Sequence, residues 1–206
     1  MKKYKNIIFD CDGTLIDSFR ATSTAFQRFT NHMLGRSLST NELDEIFHKT
    51  VEGCFDILGI EHSKDNLIIL NRYFEEESRD IKFYDGMEGV LRNLKERNIV
   101  MGLASNRTRF ELLYAMKEHG ISEYIDEYVS KDDVAKAKPA GDMLLYFIEK
   151  HKLLKDETIY LGNAISDHLS ALDAGIDYAY CMWGTNNTID EPHIKLGEVK
   201  EIMNLI

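Results

Sequence analysis

Two carboxylates lie close together near the start of the chain, in the segment Asp10-Cys11-Asp12-Gly13-Thr14. Asp10 directly follows the short apolar run at 6–9, which predicts a buried strand. Residues two apart in an extended segment project to the same side, so Asp10 and Asp12 are expected to face one site. Such carboxylates repel each other unless a cation or a shared proton lies between them. Mg²⁺ is the natural partner because it prefers oxygen ligands, and a simple Asp-Gly turn is the alternative interpretation.

Other polar residues follow later apolar runs or precede helical segments. They are Ser105 with Asn106, then Lys138, and then Asn163 with Asp167. The carboxyl ends of the strands border the ligand crevice of an open α/β sheet, so these residues are expected to converge on the aspartate pair. Taken singly, each has a plain structural explanation, such as a helix start for Ser105 or a solvated surface position for Lys138. Their joint order favours a common site.

The elements that would position these residues alternate between strands and helices. Apolar runs that predict strands lie at 6–9, 99–104, 124–129, 158–161 and 178–182. Helical patterns lie between them, and a last helix is predicted over 195–205. A capping box at Thr108 starts one helix, whose apolar face is expected to carry Phe110, Leu113 and Met116. This alternation predicts an α/β fold, a doubly wound parallel sheet of Rossmann-like form.

One long region breaks the alternation. Between 17 and 83 the sequence shows four helical patterns and no strand, which predicts a small α-helical cap inserted between the first and second core strands. The predicted domains are therefore an α/β core at 1–16 and 84–206 and a helical cap at 17–83. The cap is expected to set substrate specificity, and its candidate basic residues are Arg20, Arg28, Arg36 and Arg72.

Composition restricts the function classes. The net charge of -10 argues against a nucleic-acid polymer or an anionic membrane surface as partner. No apolar run approaches the ~20 residues of a membrane span, and no signal-peptide core follows the basic start. The three cysteines show no pairing pattern and are interpreted as reduced thiols. We therefore expect a cytoplasmic protein, and the sequence does not indicate its oligomeric state.

The polar segments together resemble the motifs of the haloacid dehalogenase-like (HAD) superfamily. Asp10-Cys11-Asp12-Gly13-Thr14 is similar to the first motif, Ser105-Asn106 to the second, Lys138-Pro139 to the third and Gly162-Asn163-Ala164-Ile165-Ser166-Asp167 to the fourth. The order and spacing match over nearly the whole chain. The helical insert makes the phosphoglycolate-phosphatase-like branch the most similar one.

The resemblance implies a Mg²⁺-dependent phosphatase that acts on a small phosphorylated metabolite. Asp10 would attack phosphorus to form an aspartyl-phosphate, and Asp12 would serve as general acid and then general base. Dehalogenating and phosphonate-cleaving members lack the acid at the position of Asp12, which disfavours those activities. The implied substrate-binding residues are Thr14, Ser105, Asn106 and Lys138. The implied magnesium ligands are Asp10, the Asp12 backbone carbonyl, Asn163 and Asp167.

One departure from the family pattern concerns the metal. Asn163 stands where the family has a metal-binding aspartate, so one negative charge is missing. This leaves open a catalytically weakened phosphate-binding or interaction protein, and a phosphomutase would use the same aspartate pair. The physiological substrate cannot be identified from the sequence. If Asn163 is a ligand, changing it to aspartate is expected to tighten magnesium binding.

Overall fold

The computed structural model describes residues 3–47, 49–79, 81–125, 127–184 and 194–206. The chain forms two compact units. The core unit consists of Met1–Asp17 with Lys82–Ile206, and the helical unit is Ser18–Ile81. The helical unit is thus inserted in the sequence of the core unit.

The described part of the helical unit consists of four α-helices. They are α1 (Phe19–Leu34), α2 (Thr40–Phe47), α3 (Val51–Leu58) and α4 (Lys64–Ser78). Thr50 caps α3 by accepting the Gly53 N–H, and Ser63 caps α4 by accepting the Asn66 N–H. Phe29 of α1 stacks on Phe55 of α3 with ring centroids 5.4 Å apart, inside an apolar cluster to which all four helices contribute. The unit therefore has a hydrophobic core of its own.

The core unit is built on a parallel sheet of six strands among the described residues. They are β1 (Asn6–Phe9), β2 (Val100–Ser105), β3 (Glu127–Ser130), β4 (Thr158–Gly162), β5 (Asp177–Cys181) and β6 (Ile194–Leu196). Their order across the sheet is β3-β2-β1-β4-β5-β6. The chain therefore moves outward from β1 in one direction and then, from β4 onward, in the other.

Four α-helices cover this sheet in the described part of the core unit. They are α5 (Met87–Glu96), α6 (Arg109–Glu118), α7 (Asp142–His151) and α8 (Ile165–Ala174). Crossovers between parallel strands are right-handed, so the outward connection through α6 and the return through α7 and α8 lie on opposite faces. Buried residues of α7, α8 and the strands form one apolar cluster that includes Ile8, Phe147 and Tyr160. This arrangement confirms the predicted doubly wound α/β fold.

Two expectations from the sequence were wrong. The segment expected to form one helix over 195–205 forms strand β6 and then a 3-10 helix over Val199–Leu205. Gly197 separates the two elements, and its N–H together with that of Glu198 donates to the Glu201 carboxylate, which starts the 3-10 helix.

The second error concerns the apolar face of α6. Met116 is buried as expected, but Phe110 is 81% exposed and Leu113 is 45% exposed. The buried side of the helix instead carries Leu112, Ala115 and Met116. The predicted three-residue spacing was correct for a helix, but α6 carries two neighbouring apolar stripes. The stripe with Leu112 and Ala115 is buried, and the stripe with Phe110 and Leu113 is exposed.

Candidate active site

Asp10 is the first residue after β1, at the point where the strand order reverses direction. Phe9 pairs with Leu103 of β2 on one side and with Leu161 of β4 on the other, so the residues that follow these strands emerge side by side. The Asp10 N–H donates to the Leu161 carbonyl at 2.8 Å, and the residue is only 6% exposed. Open α/β sheets bind their ligands at such an edge.

Lys138 joins the two buried carboxylates of the site. Its Nζ lies 2.7 Å from Oδ1 of Asp10 and 2.7 Å from Oδ1 of Asp167. The same Nζ lies 2.9 Å from the Tyr160 hydroxyl and 3.2 Å from the Ala104 carbonyl. An ammonium group has three N–H donors, so these four oxygens saturate it. Lys138 therefore fixes Asp10 and Asp167 relative to each other.

Asn106 holds the backbone of Lys138 in place. Its Oδ1 accepts the Lys138 N–H at 3.1 Å, and its Nδ2 donates to the Lys138 carbonyl at 3.2 Å. This paired contact uses both ends of the amide. Asn106 thus positions the lysine in this structure, and a direct contact between Asn106 and substrate stays a prediction.

Burial dominates the electrostatics around Asp10. Removal from water raises the pKa of its carboxyl to about 7, with Lys138 opposing and the charges of Asp167 and Asp12 adding to the rise. Burial alone would lower the pKa of Lys138, but its contacts with Asp10 and Asp167 raise it above the ordinary value of 10.5. Lys138 is therefore a fixed positive charge at neutral pH, whereas Asp10 is a buried carboxyl that one lysine does not fully balance.

Asp12 is held by an arginine that the sequence analysis did not name. Arg107 donates from Nε to Oδ2 of Asp12 at 2.7 Å and from Nη2 to Oδ1 at 2.6 Å. The Arg107 N–H donates to Oγ of Ser105 at 3.2 Å, which leaves the Ser105 hydroxyl proton available to donate elsewhere. Ser105 is buried at the end of β2. Asp12 thus has a bidentate cationic partner of its own, separate from Lys138.

Asn163 is packed tightly into the floor of the site. Its Nδ2 donates to the Gly184 carbonyl at 3.1 Å, and its Oδ1 accepts from the Thr14 hydroxyl at 3.4 Å. Gly13 lies directly against it with φ of 75°, and a Cβ at Gly13 would come within 2.3 Å of Nδ2 of Asn163. Thr14 is fully buried, and its hydroxyl contacts Asn163. A contact between Thr14 and the substrate stays a prediction.

The donors around Asp10 fit magnesium in kind, although one of them is uncharged. Asp10 and Asp167 supply carboxylate oxygens and Asn163 supplies an amide oxygen, which are ligands that hard divalent cations take. Lys138 balances only one of the two buried negative charges, so a divalent cation is compatible with the local charge. Within the described ranges, no three His, Cys, Asp or Glu side chains cluster as a metal site. Asn163 as a magnesium ligand stays a prediction.

Two site residues were missed from the sequence. Arg107 directly follows Ser105-Asn106, and this adjacency was the available signal. Tyr160 lies inside β4, where its hydroxyl contacts Lys138 and lies 3.0 Å from Oδ1 of Asp167. No sequence signal distinguishes Tyr160 from an ordinary buried strand residue.

The fold and the site together define a doubly wound α/β protein with a charged, aspartate-rich cluster at the end of its first strand. The model of one family, described as haloacid dehalogenase-like hydrolase, matches residues 7–181. The chain therefore belongs to the haloacid dehalogenase-like hydrolase family.

Its relatives include named phosphatases at low identity. The chain is 25% identical to the phosphoglycolate phosphatase of Photobacterium profundum, over 98% of this chain and 95% of that protein. It is also 25% identical to the pyrophosphatase PpaX of Bacillus pumilus, over 86% of this chain and 82% of that protein.

A solved structure supports the fold independently. A HAD-superfamily hydrolase of subfamily IA from Geobacter sulfurreducens matches with a TM-score of 0.80 at 22% identity, covering 98% of this chain and 100% of that chain. At this identity the likeness shows the fold alone. In the parts of the chain that the structure describes, no helix has the length and apolar character needed to cross a membrane.

Proposed function

We propose that this protein is a magnesium-dependent phosphatase that hydrolyses a small phosphate monoester through an aspartyl-phosphate intermediate. The observation that carries the proposal is the buried contact of Asp10 with Lys138 at the end of β1, with Asp12 two residues further on. The names of the relatives support phosphate hydrolysis as the reaction. Membership of a hydrolase family agrees with it.

In the first half-reaction, a carboxylate oxygen of Asp10 attacks phosphorus. Oδ1 of Asp10 accepts a hydrogen bond from Lys138, so we assign the attack to Oδ2. The bond between phosphorus and the ester oxygen breaks, and the departing oxygen takes a proton from Asp12, whose carboxyl must release one of its two Arg107 contacts to carry that proton. The Ser105 hydroxyl donates to a phosphoryl oxygen, and the charge of Lys138, whose donors are all taken, stabilises the developing negative charge without a hydrogen bond to it.

In the second half-reaction, water attacks the phosphorus of the aspartyl-phosphate. The Asp12 carboxylate, now deprotonated, takes a proton from that water. The bond between phosphorus and the Asp10 oxygen breaks, which releases inorganic phosphate and restores Asp10. Magnesium, when bound by Asp10, Asn163, Asp167 and the Asp12 carbonyl, supplies positive charge that offsets the phosphoryl oxygens.

We further propose that the helical unit acts as a cap that selects small substrates. Of the arginines named from the sequence, three are occupied: Arg28 pairs with Glu76 and Glu77, Arg36 pairs with Glu42, and Arg72 lies 4.0 Å from Glu76. Arg20 is exposed and makes no ion pair with another described residue. Arg20 is therefore the arginine of this set whose charge no described residue pairs with.

The test is a steady-state assay of phosphate release from p-nitrophenyl phosphate and from a panel of phosphorylated metabolites, with and without magnesium. We expect magnesium-dependent turnover that favours small metabolites over a folded phosphoprotein. Asp10→Asn is the matched variant, because it keeps the shape and a hydrogen-bond acceptor for Lys138. It is expected to lower kcat by roughly four orders of magnitude, as removal of a nucleophile does.

Each alternative has its own outcome. Metabolite binding without turnover would indicate the phosphate-binding protein, and an isomerised product without free phosphate would indicate a phosphomutase. Near-normal turnover by Asp10→Asn, free of wild-type contamination, would rule out the nucleophile.

A further inference from the structure

We propose that Arg107 is a specificity-determining residue that binds a second anionic group of the substrate. This inference rests on the proposed phosphatase function and deepens it, because it specifies the substrate class. That class is phosphate compounds with a second oxyanion, a carboxylate or another phosphate, close to the scissile phosphoryl group.

The guanidinium of Arg107 has one edge occupied and one edge open. A guanidinium carries five N–H donors, arranged so that either Nε with Nη2 or Nη1 with Nη2 can grip an oxyanion in a bidentate manner. Asp12 takes the side edge, formed by Nε and Nη2. Among the residues that the structure describes, none forms a hydrogen bond with Nη1, so none of them occupies the end edge while Asp12 stays bound.

Exposure distinguishes Arg107 from the other cation of the site. The side chain of Lys138 is 4% exposed and lies between two carboxylates, whereas the side chain of Arg107 is 25% exposed and pairs with one. Lys138 has no donor to spare for a group on the leaving side of the substrate. Arg107 has both the donors and the solvent access that a ligand needs.

Both backbone groups of Arg107, its N–H and its carbonyl, form hydrogen bonds. Its N–H donates to Oγ of Ser105, and its carbonyl accepts the Lys131 N–H at 3.2 Å. The bidentate contact with Asp12 then fixes the plane of the guanidinium. A pre-positioned fork loses less conformational freedom when it binds an oxyanion than a mobile lysine does.

The position of Asp12 sets where the second oxyanion would lie. In the proposed reaction Asp12 must reach the departing oxygen, and Nη2 of Arg107 lies 2.6 Å from the Asp12 carboxylate. The end edge of Arg107 therefore lies beside the leaving group, not beside the transferred phosphoryl group. An oxyanion joined to the departing oxygen through a very short link suits this position.

The experiment compares two substrates that differ in one charge. These are phosphoglycolate and its carboxamide, 2-phosphoglycolamide, with pyrophosphate as a third substrate for a phosphate oxyanion. For Arg107→Gln we expect kcat/KM to fall roughly 10- to 100-fold more on phosphoglycolate than on the carboxamide, mainly through KM, since a charged hydrogen-bonded contact is lost. Arg107→Lys, which keeps the charge without the fork, should fall between wild type and Arg107→Gln.

Arg109→Gln is the control for removal of a nearby arginine. Arg109 pairs with Asp133 on the surface and has no place in the proposed site, so its charge preference should match that of wild type. Thermal unfolding of each variant separates loss of fold from loss of recognition. An extra loss on phosphoglycolate alone identifies a carboxylate site, and an extra loss on pyrophosphate alone identifies a phosphate site.

Binding separates failure of this inference from failure of the phosphatase proposal. Calorimetric titration of phosphoglycolate and its carboxamide into Asp10→Asn, with and without Arg107→Gln, needs no turnover. Charge-selective weakening of binding in the double variant would support the inference even if wild type hydrolysed nothing. Equal factors of loss on the charged and uncharged compounds, in turnover and in binding, would overturn it and leave Arg107 as a support for Asp12.

Discussion

The two charged clusters of the site differ in burial and in freedom. The Lys138 cluster joins two carboxylates through one ammonium group in the interior, with all three side chains under 10% exposed. The Arg107 pair joins one carboxylate to one guanidinium, with the two side chains 25% and 30% exposed. In the proposed reaction, the attacking Asp10 would benefit from the fixed, buried setting, and Asp12, which would exchange protons with water and the leaving group, would benefit from the more exposed one.

The largest expected effect on stability comes from breaking the buried cluster. Lys138→Met would leave Asp10 and Asp167 buried without their cation, so we expect a loss of about 3–5 kcal/mol in the free energy of unfolding. Arg107→Gln breaks the more exposed pair and should cost about 1 kcal/mol or less. Denaturant unfolding at pH 7 without magnesium measures both. Equal losses would show that burial does not distinguish the two clusters.

A large effect on catalysis is expected from Asp12. In Asp12→Asn the side chain can neither give nor take the proton, which should lower kcat by about 10²–10⁴-fold for alkyl phosphates. p-Nitrophenyl phosphate needs little protonation of its leaving group, so its phosphorylation step should slow far less. Single-turnover measurements on both esters isolate that step. The same loss on both would mean that Asp12 serves only structure or metal binding.

A pH effect on stability is expected from Asp10 in the metal-free protein. Burial raises its pKa from an ordinary 3.8 to about 7, so the folded state holds its proton over a pH range in which the unfolded state has lost it. The stability that this contributes is present below about pH 4 and is lost as the pH rises to about 7. Comparison of Asp10→Asn with wild type between pH 4 and 8, in a chelator, checks this. A parallel pH profile for the two proteins would contradict it.

The smallest effect is expected at Asn163. In Asn163→Asp the hydrogen bond to the Gly184 carbonyl is lost and a third carboxylate joins Asp10 and Asp167, so the metal-free variant should unfold at a lower temperature. Magnesium relieves that repulsion, so its stabilising shift should be larger in the variant than in wild type. Thermal unfolding over a magnesium titration measures both quantities. An unchanged shift would argue against Asn163 as a metal ligand.

The candidate site residues whose position in the sheet could be predicted from the sequence are those with a positional signal. Asp10, Ser105 and Asn163 follow apolar strands, and parallel register brings such positions to one edge whatever the details of packing. The sequence analysis did not predict Arg107 as a site residue, because a charged residue before a helix is usually solvated. Only its tertiary contact with Asp12 identifies it. The exposure of Phe110 was missed because helical spacing identifies stripes, not which stripe the sheet accepts.

The error over 195–205 has a related cause. Short amphipathic segments fit a helix and a strand almost equally well, and pairing with β5 decided in favour of β6. The double contact of Asn106 with Lys138 also depends on a long-range approach. The local sequence pattern does not show that Asn106 and Lys138, 32 residues apart in the chain, come into contact.

The central place of β1 in the sheet has a consequence for synthesis on the ribosome. β1 is translated before β2 and β4 and pairs with both, and the Asn6–Thr158 side-chain contact alone spans 152 positions. Until β4 has been translated, one edge of β1 has no strand to pair with. The apolar side chains of Ile7, Ile8 and Phe9 then lack part of the packing that buries them in the folded chain. Such an edge is a template for aggregation. The nascent chain thus depends on late translation of its second half, and a pause before β4 should increase its need for chaperones.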